Sequence, residues 1–211
     1  MTRTTTRLVI AVCAAAVLWF IMFSPWTSGV LNFWAMMSVS AVILSCFAIS
    51  GTGLPDWKTT GIREVLFQAA AGIAIAFALW GIFWCGDKVS GLIFDFARPQ
   101  IDSVYGMKEG SNPVLVTVLL LLLIGPAEEF FWRGYVQREL SKKAGPMAAL
   151  FITTAIYAIV HIWSFNFMLV MAALVAGGLW GLIYRLKPSL LPALIVSHAL
   201  WDALVFIILP I

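Results

Sequence analysis

Seven apolar runs of membrane-spanning length constrain the fold of this 211-residue chain more than any other feature. They cover about residues 8–24, 30–50, 64–85, 113–132, 147–164, 167–184 and 189–209. Hydrophobic residues make up 62% of the chain, far more than in a soluble domain. The sequence therefore predicts an all-α fold: a polytopic transmembrane helix bundle of about seven spans, forming a single domain over residues 1–211.

The basic residues predict how this bundle is oriented. With the N-terminus in the cytoplasm, three of the 13 basic residues fall on the outer side: Lys88, Arg98 and Lys108. The other ten fall on the cytoplasmic side: Arg3, Arg7, Lys58, Arg63, Arg133, Arg138, Lys142, Lys143, Arg185 and Lys187. This bias follows the positive-inside rule and favours a cytoplasmic N-terminus. The chain has no basic run with interleaved aromatic residues, so we expect no nucleic-acid partner.

The segment 86–112 is predicted to be an extramembrane loop that contains an interfacial helix lying on the membrane. Four apolar residues lie among charged ones at its centre: Leu92, Ile93, Phe94 and Phe96. Pro99 is expected to end this helix.

Glycine and tryptophan positions indicate packing and anchoring. Gly177 and Gly181 have the G-x-x-x-G spacing that lets helix backbones approach, and we favour packing inside the bundle over a dimer contact.

The ten tryptophans lie mostly near the predicted span ends, which is typical of anchoring at the membrane interface rather than ligand binding.

Three spans of the C-terminal half contain ionisable side chains, including both histidines of the chain: Glu128, Glu129, Arg133, His161, His198 and Asp202. Ionisable groups at membrane depth are costly unless they face a polar interior, so their coincidence predicts one shared functional site. Residues four apart share a helix face, which pairs Glu129 with Arg133 and His198 with Asp202. Adjacent positions point about 100° apart, so Glu128 cannot have the same function as Glu129.

These side chains suit hydrolysis of an amide bond. A glutamate near a histidine can activate a water, and a second histidine with a polar neighbour can stabilise the resulting oxyanion. The same groups could hold zinc, although the chain lacks the H-E-x-x-H motif and we expect no cofactor. A third alternative is a transporter or immunity protein in which these residues form a polar relay.

Three short motifs occur in a fixed order: E-E-x-x-x-R at Glu128, Glu129 and Arg133, an aromatic-x-x-x-H at Tyr157 and His161, and H-x-x-x-D at His198 and Asp202. They resemble the CAAX protease and bacteriocin-processing family, also called Abi, of intramembrane glutamic endopeptidases. This family includes the eukaryotic type II CAAX prenyl protease. The resemblance covers roughly residues 113–205, which we take as the catalytic core.

The resemblance implies a role for each ionisable residue of the spans. Glu128 and His161 would activate the water. Glu129 and Arg133 would support the site. His198 and Asp202 would occupy the oxyanion positions.

Two positions depart from the family pattern. Tyr157 stands where the motif usually has phenylalanine, and Asp202 stands where it often has asparagine. An ionised aspartate cannot donate a hydrogen bond to an oxyanion. Asp202 is therefore either protonated in its apolar setting or accepts the N–H of His198, and we favour the second role.

Helix lengths predict an offset in depth within the site. Glu128 lies about 22 Å from the outer end of its span at Pro113, and His161 about 21 Å from the inner end of its span at Met147. These lengths place the two side chains up to ~12 Å apart in depth within a hydrocarbon core of ~30 Å. Helix tilt, a later start of the fifth helix or a water-filled funnel could bring them together.

By resemblance, the substrate is a membrane-associated peptide or protein. Family members act on prenylated C-termini, on leader peptides, or on C-terminal sorting signals, and the last activity is that of myxosortase-like members. A short chain with little beyond the core suits the last group. We expect a prokaryotic inner-membrane protein in contact with membrane lipids.

Overall fold

The computed structural model describes residues 3–53 and 61–211, and the regular elements in these ranges are all helices. In chain order they are α1 (Arg3–Phe23), α2 (Phe33–Thr52), α3 (Ile62–Ile93), α4 (Ala97–Gly106), α5 (Pro113–Ala144), α6 (Pro146–Ser164), α7 (Phe167–Leu186) and α8 (Pro188–Ile208). Within the described ranges, seven of them are long and apolar enough to cross a membrane, all except α4. The predicted all-α bundle of seven spans is therefore confirmed. Its orientation stays a prediction, and Lys58, one of the basic residues behind it, lies outside the described residues.

The segment after the third span differs from the prediction. The helix α3 continues to Ile93, about two turns beyond the expected end near residue 85, and includes the first part of segment 86–112. A separate helix, α4, begins at Ala97. Pro99 lies in the first turn of α4 instead of ending a helix, because a proline there removes no N–H that the helix would use.

The helix α5 corrects the predicted depth of the site. It runs to Ala144 and not to about residue 132, and Gly145, with a φ of 83° that favours glycine, makes the turn into α6. Glu128 precedes Gly145 by 17 residues and His161 follows it by 16. At about 1.5 Å per residue, both lie roughly 25 Å from the same turn. The expected offset of ~12 Å assumed that this helix ends near residue 132, and the longer α5 removes the basis for it.

Two π-helical segments interrupt α5 on either side of its acidic pair: Leu120–Ile124 and Trp132–Gln137. Pro126 has no N–H for the α-helical ladder, and Gly125 donates to the carbonyl of Leu120, five residues earlier. Such π-bulges occur often at functional sites. Here they flank the turn that carries Glu128 and Glu129.

Close backbone approaches place α8 between α3 and α5. A Cβ added to Gly72 of α3 would lie 2.6 Å from the carbonyl oxygen of Ala193, and one added to Gly125 of α5 would lie 2.6 Å from the Cα of Ala199. Both contacts are far below van der Waals distance, so only glycine fits. The resulting packing brings His198 of α8 next to the acidic pair of α5.

Candidate active site

One cavity of about 520 Å³ collects most of the ionisable side chains of the spans. Its polar lining includes Glu128, Tyr157, His161, His198 and Asp202. Much of the remaining wall is aromatic or aliphatic and comes from α1, α2, α3, α5, α7 and α8: for example Phe23, Trp34, Phe83, Ile124, Met171 and Val205. The structure thus brings four of the six predicted site residues to one cavity, with Glu129 and Arg133 behind it.

Glu129 is the most deeply buried member of the site, with no exposed surface. Its Oε1 accepts hydrogen bonds from Arg133 Nη1 at 2.7 Å and from His198 Nδ1 at 2.8 Å. The ion pair with Arg133 that the four-residue spacing predicted is confirmed. Glu129 therefore connects α5 to α8 instead of facing the cavity.

Arg133 ties the acidic pair to α7. Its Nη2 donates to the carbonyl oxygen of Gly177 at 2.9 Å, and its guanidinium lies over the rings of Tyr157 and Trp180 at 5.1 and 5.4 Å. Only 1% of its surface is exposed, so Arg133 is a buried residue of α5 rather than a solvent-exposed charge. Among the described residues, Arg133 Nε and Glu129 Oε2 are buried without a hydrogen-bond partner, so the pair is only partly satisfied.

The glycines of α7 face α5 and α6. A Cβ added to Gly177 would lie 2.6 Å from Cδ1 of Tyr157, and one added to Gly181 would lie 2.9 Å from Cδ1 of Leu150. Gln137 donates to the carbonyl oxygen of Gly181 at 2.8 Å, one helical turn from the matching bond of Arg133. The G-x-x-x-G spacing therefore serves packing inside the bundle, as predicted.

Glu128 points into the cavity, away from Glu129. Its Oε2 accepts a hydrogen bond from the hydroxyl of Tyr157 at 2.9 Å. Sequence reasoning noted Tyr157 as a departure from phenylalanine but did not list it as a site residue. The hydroxyl that makes this departure is the group that contacts Glu128.

His161 is engaged on both sides of its ring. Its Nδ1 lies 2.7 Å from the carbonyl oxygen of Tyr157, and its Nε2 lies 3.1 Å from the indole nitrogen of Trp19. In the part of the chain that the structure describes, its ring nitrogens bond to Tyr157 and Trp19 and not to Glu128, which the Tyr157 hydroxyl contacts instead.

His198 lies between Glu129 and Asp202. Its Nε2 is 3.5 Å from Oδ2 of Asp202, an ion-pair distance at the outer limit for a hydrogen bond. Its ring stacks on Trp180 with centroids 4.0 Å apart, and the Trp180 indole donates to Ser197 Oγ at 3.1 Å. Stacking on Trp180 fixes the plane of the His198 ring.

Two tryptophans of the site were missed by sequence reasoning, which treated tryptophans mainly as interface anchors. Trp19 and Trp180 are 1% and 0% exposed. Only Trp180 had a recognisable signal in the sequence, because it lies within the glycine-rich segment of α7. Trp19 comes from the first span, where no ionisable neighbour marks it.

Metal ligation was the alternative use of these residues. In residues 3–53 and 61–211, no three side chains of His, Cys, Asp or Glu converge in an arrangement suited to a metal ion. Glu129 uses the oxygen that faces His198 to bind Arg133 as well. The expectation that the protein needs no zinc stays a prediction.

Comparison with known families adds a match for this part of the chain. Residues 110–204 match the family model described as Rce1-like, type II CAAX prenyl endopeptidase. This segment is therefore similar to the type II CAAX prenyl endopeptidases. The resemblance found in the motifs is thereby confirmed, and the matched segment contains each of the six predicted site residues. Comparisons with curated proteins and with solved structures gave no match.

Family and fold together define the protein class. The described residues contain seven helices of membrane-spanning length, which indicate an integral membrane protein, and residues 110–204 are similar to a family of membrane proteases. Trp19 lies outside the matched segment, on a helix that the family match does not cover.

Proposed function

We propose that the protein is an intramembrane endopeptidase that hydrolyses a peptide bond with a water activated by Glu128. The observation that carries this proposal is the position of Glu128 on the wall of an apolar cavity, with Oε2 held by Tyr157. Its other oxygen, Oε1, has no hydrogen-bonding side chain among the described residues and can face a water. A carboxylate fixed in this way is suited to act as a general base.

The proposed reaction needs no covalent intermediate. Glu128 takes a proton from the water as the water oxygen attacks the carbonyl carbon of the scissile bond. The tetrahedral oxyanion is stabilised from the side of His198 and Asp202, which line the same cavity. The C–N bond then breaks, and Glu128 returns the proton to the leaving amine.

The cavity favours an apolar, membrane-borne substrate. Its walls are largely aromatic and aliphatic, and it lies among helices of membrane-spanning length. The family model is that of a prenyl endopeptidase. We therefore propose as substrate a C-terminal segment that carries a lipid or a hydrophobic sorting signal, in a prokaryotic inner membrane.

The test compares the wild type with Glu128→Gln, which keeps the size of the side chain and removes the base. Both proteins are purified into lipid vesicles with a fluorogenic farnesylated C-terminal peptide, and peptide ends in membranes of expressing cells are compared by mass spectrometry. We expect new peptide ends only with the wild type, because loss of a general base costs on the order of 10²–10⁴-fold in rate. Cleavage by a well-expressed Glu128→Gln protein would contradict the proposal. If cells expressing the wild type and cells expressing Glu128→Gln gave the same peptide ends, and neither protein cleaved the farnesylated peptide, the transporter or immunity protein with a polar relay would be favoured.

A further inference from the structure

A second, polar cavity lies at the end of the bundle away from the proposed active site. It has a volume of about 170 Å³ and is lined by Arg3, Thr4 and Arg7 of α1, Gly51 of α2 and Tyr135 of α5. The large cavity around Glu128 uses the opposite ends of α1 and α2, at Phe23 and Phe33. The two cavities share no lining residue, so the proposed peptide hydrolysis leaves the second one without a role.

The charges around the second cavity suit an anion. Arg7 donates from Nη1 to the carbonyl oxygen of Ser50 at 3.1 Å, which holds its guanidinium against the end of α2. Its other N–H groups, and the exposed guanidinium of Arg3, have no ion-pair partner within residues 3–53 and 61–211. The described residues that line the cavity include no carboxylate. Two arginines therefore face one small space with their charges uncompensated.

Neighbouring groups strengthen this positive field. Lys143, at the end of α5, donates to the hydroxyl of Thr5 on α1 and brings a third cation close to the cavity. Glu139, four residues after Tyr135, is already paired with Lys142. The acid nearest along α5 is thus neutralised by its own helix and does not compete for the arginines.

The hydroxyl of Tyr135 is the observation that points to a bound ligand. Tyr135 is only 1% exposed, and a Cβ added to Gly51 would lie 2.8 Å from Cζ, the ring carbon that carries the hydroxyl. In the part of the chain that the structure describes, this hydroxyl has no hydrogen-bond partner. A buried polar group without a partner is costly, and an acceptor oxygen in the cavity would satisfy it.

The position of the cavity favours a lipid headgroup as the source of that oxygen. Ligand pockets for larger molecules begin at about 300 Å³, so this cavity suits a single phosphate group rather than a peptide. Apolar surface begins beside it: Ile10, one turn along α1 from Arg7, is 50% exposed, and Ile43, two turns along α2 from Ser50, is 37% exposed. Acyl chains lying on this surface would place a phosphate beside the arginines.

We propose that the second cavity binds the phosphate of an anionic phospholipid such as phosphatidylglycerol. Arg3 and Arg7 neutralise the phosphate, and the Tyr135 hydroxyl donates a hydrogen bond to one of its oxygens. Basic pockets between membrane helices bind anionic headgroups in this way. Because Tyr135 lies in the second π-helical segment of α5, the bound headgroup joins α1 and α2 to the helix that carries Glu128.

The test follows thermal unfolding of the whole protein in a non-ionic detergent, and it needs no peptide substrate. Short-chain phosphatidylglycerol is titrated in, with phosphatidylcholine of the same chain length and inorganic phosphate in parallel. We expect a saturable rise in Tm with phosphatidylglycerol alone. No rise, or an equal rise with phosphatidylcholine, would overturn the proposal. An equal rise with inorganic phosphate would overturn the assignment to a lipid.

Three variants test the named contacts, with affinity read from the lipid concentration at half of the Tm shift. We expect Arg3→Gln and Arg7→Gln to weaken affinity for phosphatidylglycerol on the order of 5-fold each. Tyr135→Phe keeps the charge and removes the hydroxyl, and we expect a loss on the order of 10-fold, which a diffuse basic surface would not show. The matched control is Arg63→Gln, an exposed arginine at the start of α3 that does not line the cavity.

Two results with these variants would overturn the proposal. An equal loss in Arg63→Gln would mean that the lipid responds to the total charge of this end of the bundle. Wild-type affinity in both Arg3→Gln and Tyr135→Phe would mean that the lipid binds elsewhere. Arg3→Gln removes no ion pair within the described residues, so its result stands even if Tyr135→Phe lowers the stability of the protein.

Discussion

His198 places its Nδ1 2.8 Å from Oε1 of Glu129. Because Arg133 contacts the same oxygen, Glu129 serves only as an acceptor, and the Nδ1 of His198 carries a hydrogen. The opposite nitrogen, Nε2, faces Asp202. If Asp202 accepts from His198, the histidine carries both protons; if Asp202 is protonated, Nε2 is the acceptor. The two arrangements differ only in the position of one proton.

Asp202→Asn distinguishes these arrangements. We expect lower activity, because the amide is a weaker acceptor than a carboxylate and leaves His198 freer to turn away from the oxyanion position. The measurement is a pH–rate series on the wild type and the variant, with Asp102→Asn on α4 as the exposed control. Activity equal to or above the wild type across the whole range would reject the acceptor role and favour a protonated Asp202 that donates.

Arg133→Ala should reduce both protein yield and activity. The change removes the partner of Glu129, and an unpaired charge at a buried position costs about 3–5 kcal/mol. Arg133→Lys should restore only part of the loss, because an ammonium group cannot span Glu129 and the Gly177 carbonyl as the guanidinium does. Yield and thermal stability in detergent measure the effect. A fully active, stable Arg133→Ala protein would show that the ion pair is dispensable.

Gly177→Ala and Gly178→Ala form a matched pair on α7. A methyl group at Gly177 would meet the Tyr157 ring at 2.6 Å, whereas one at Gly178 has its nearest neighbour, Thr154, at 3.7 Å. We expect Gly177→Ala to lower the free energy of unfolding by about 1–3 kcal/mol, and Gly178→Ala to have little effect. Thermal unfolding of both variants checks this. Equal stability of the two would mean that Tyr157 moves aside without cost, and that its ring is not fixed by α7.

The purified protein should contain no stoichiometric zinc. Glu129 and His198 are hydrogen-bonded to each other, and the chain lacks the H-E-x-x-H motif. Elemental analysis of protein prepared without chelator measures the metal content. About one zinc per chain, together with activity that a chelator removes and zinc restores, would establish the metallopeptidase alternative instead.

Local sequence patterns were sufficient to predict those contacts of the site that join residues of the same helix. The pairing of Glu129 with Arg133 followed from their four-residue spacing, since helix geometry alone places such residues on one face. The divergence of Glu128 from Glu129 followed from the same geometry, and the structure has one side chain in the cavity and the other behind it. The same spacing brought His198 near Asp202, although only to 3.5 Å.

By itself, the sequence determined that the chain is a bundle of seven apolar helices with one ionisable cluster, because hydropathy and helix period are local properties. Only the tertiary structure decided that Glu128 and His161 lie at similar distances from one shared turn, since this depends on α5 running to Ala144 before the chain turns at Gly145. It also decided that Trp19 of α1 binds His161. Contacts between helices are set by where each helix ends and which glycines allow close approach, and no spacing along the chain encodes the partner.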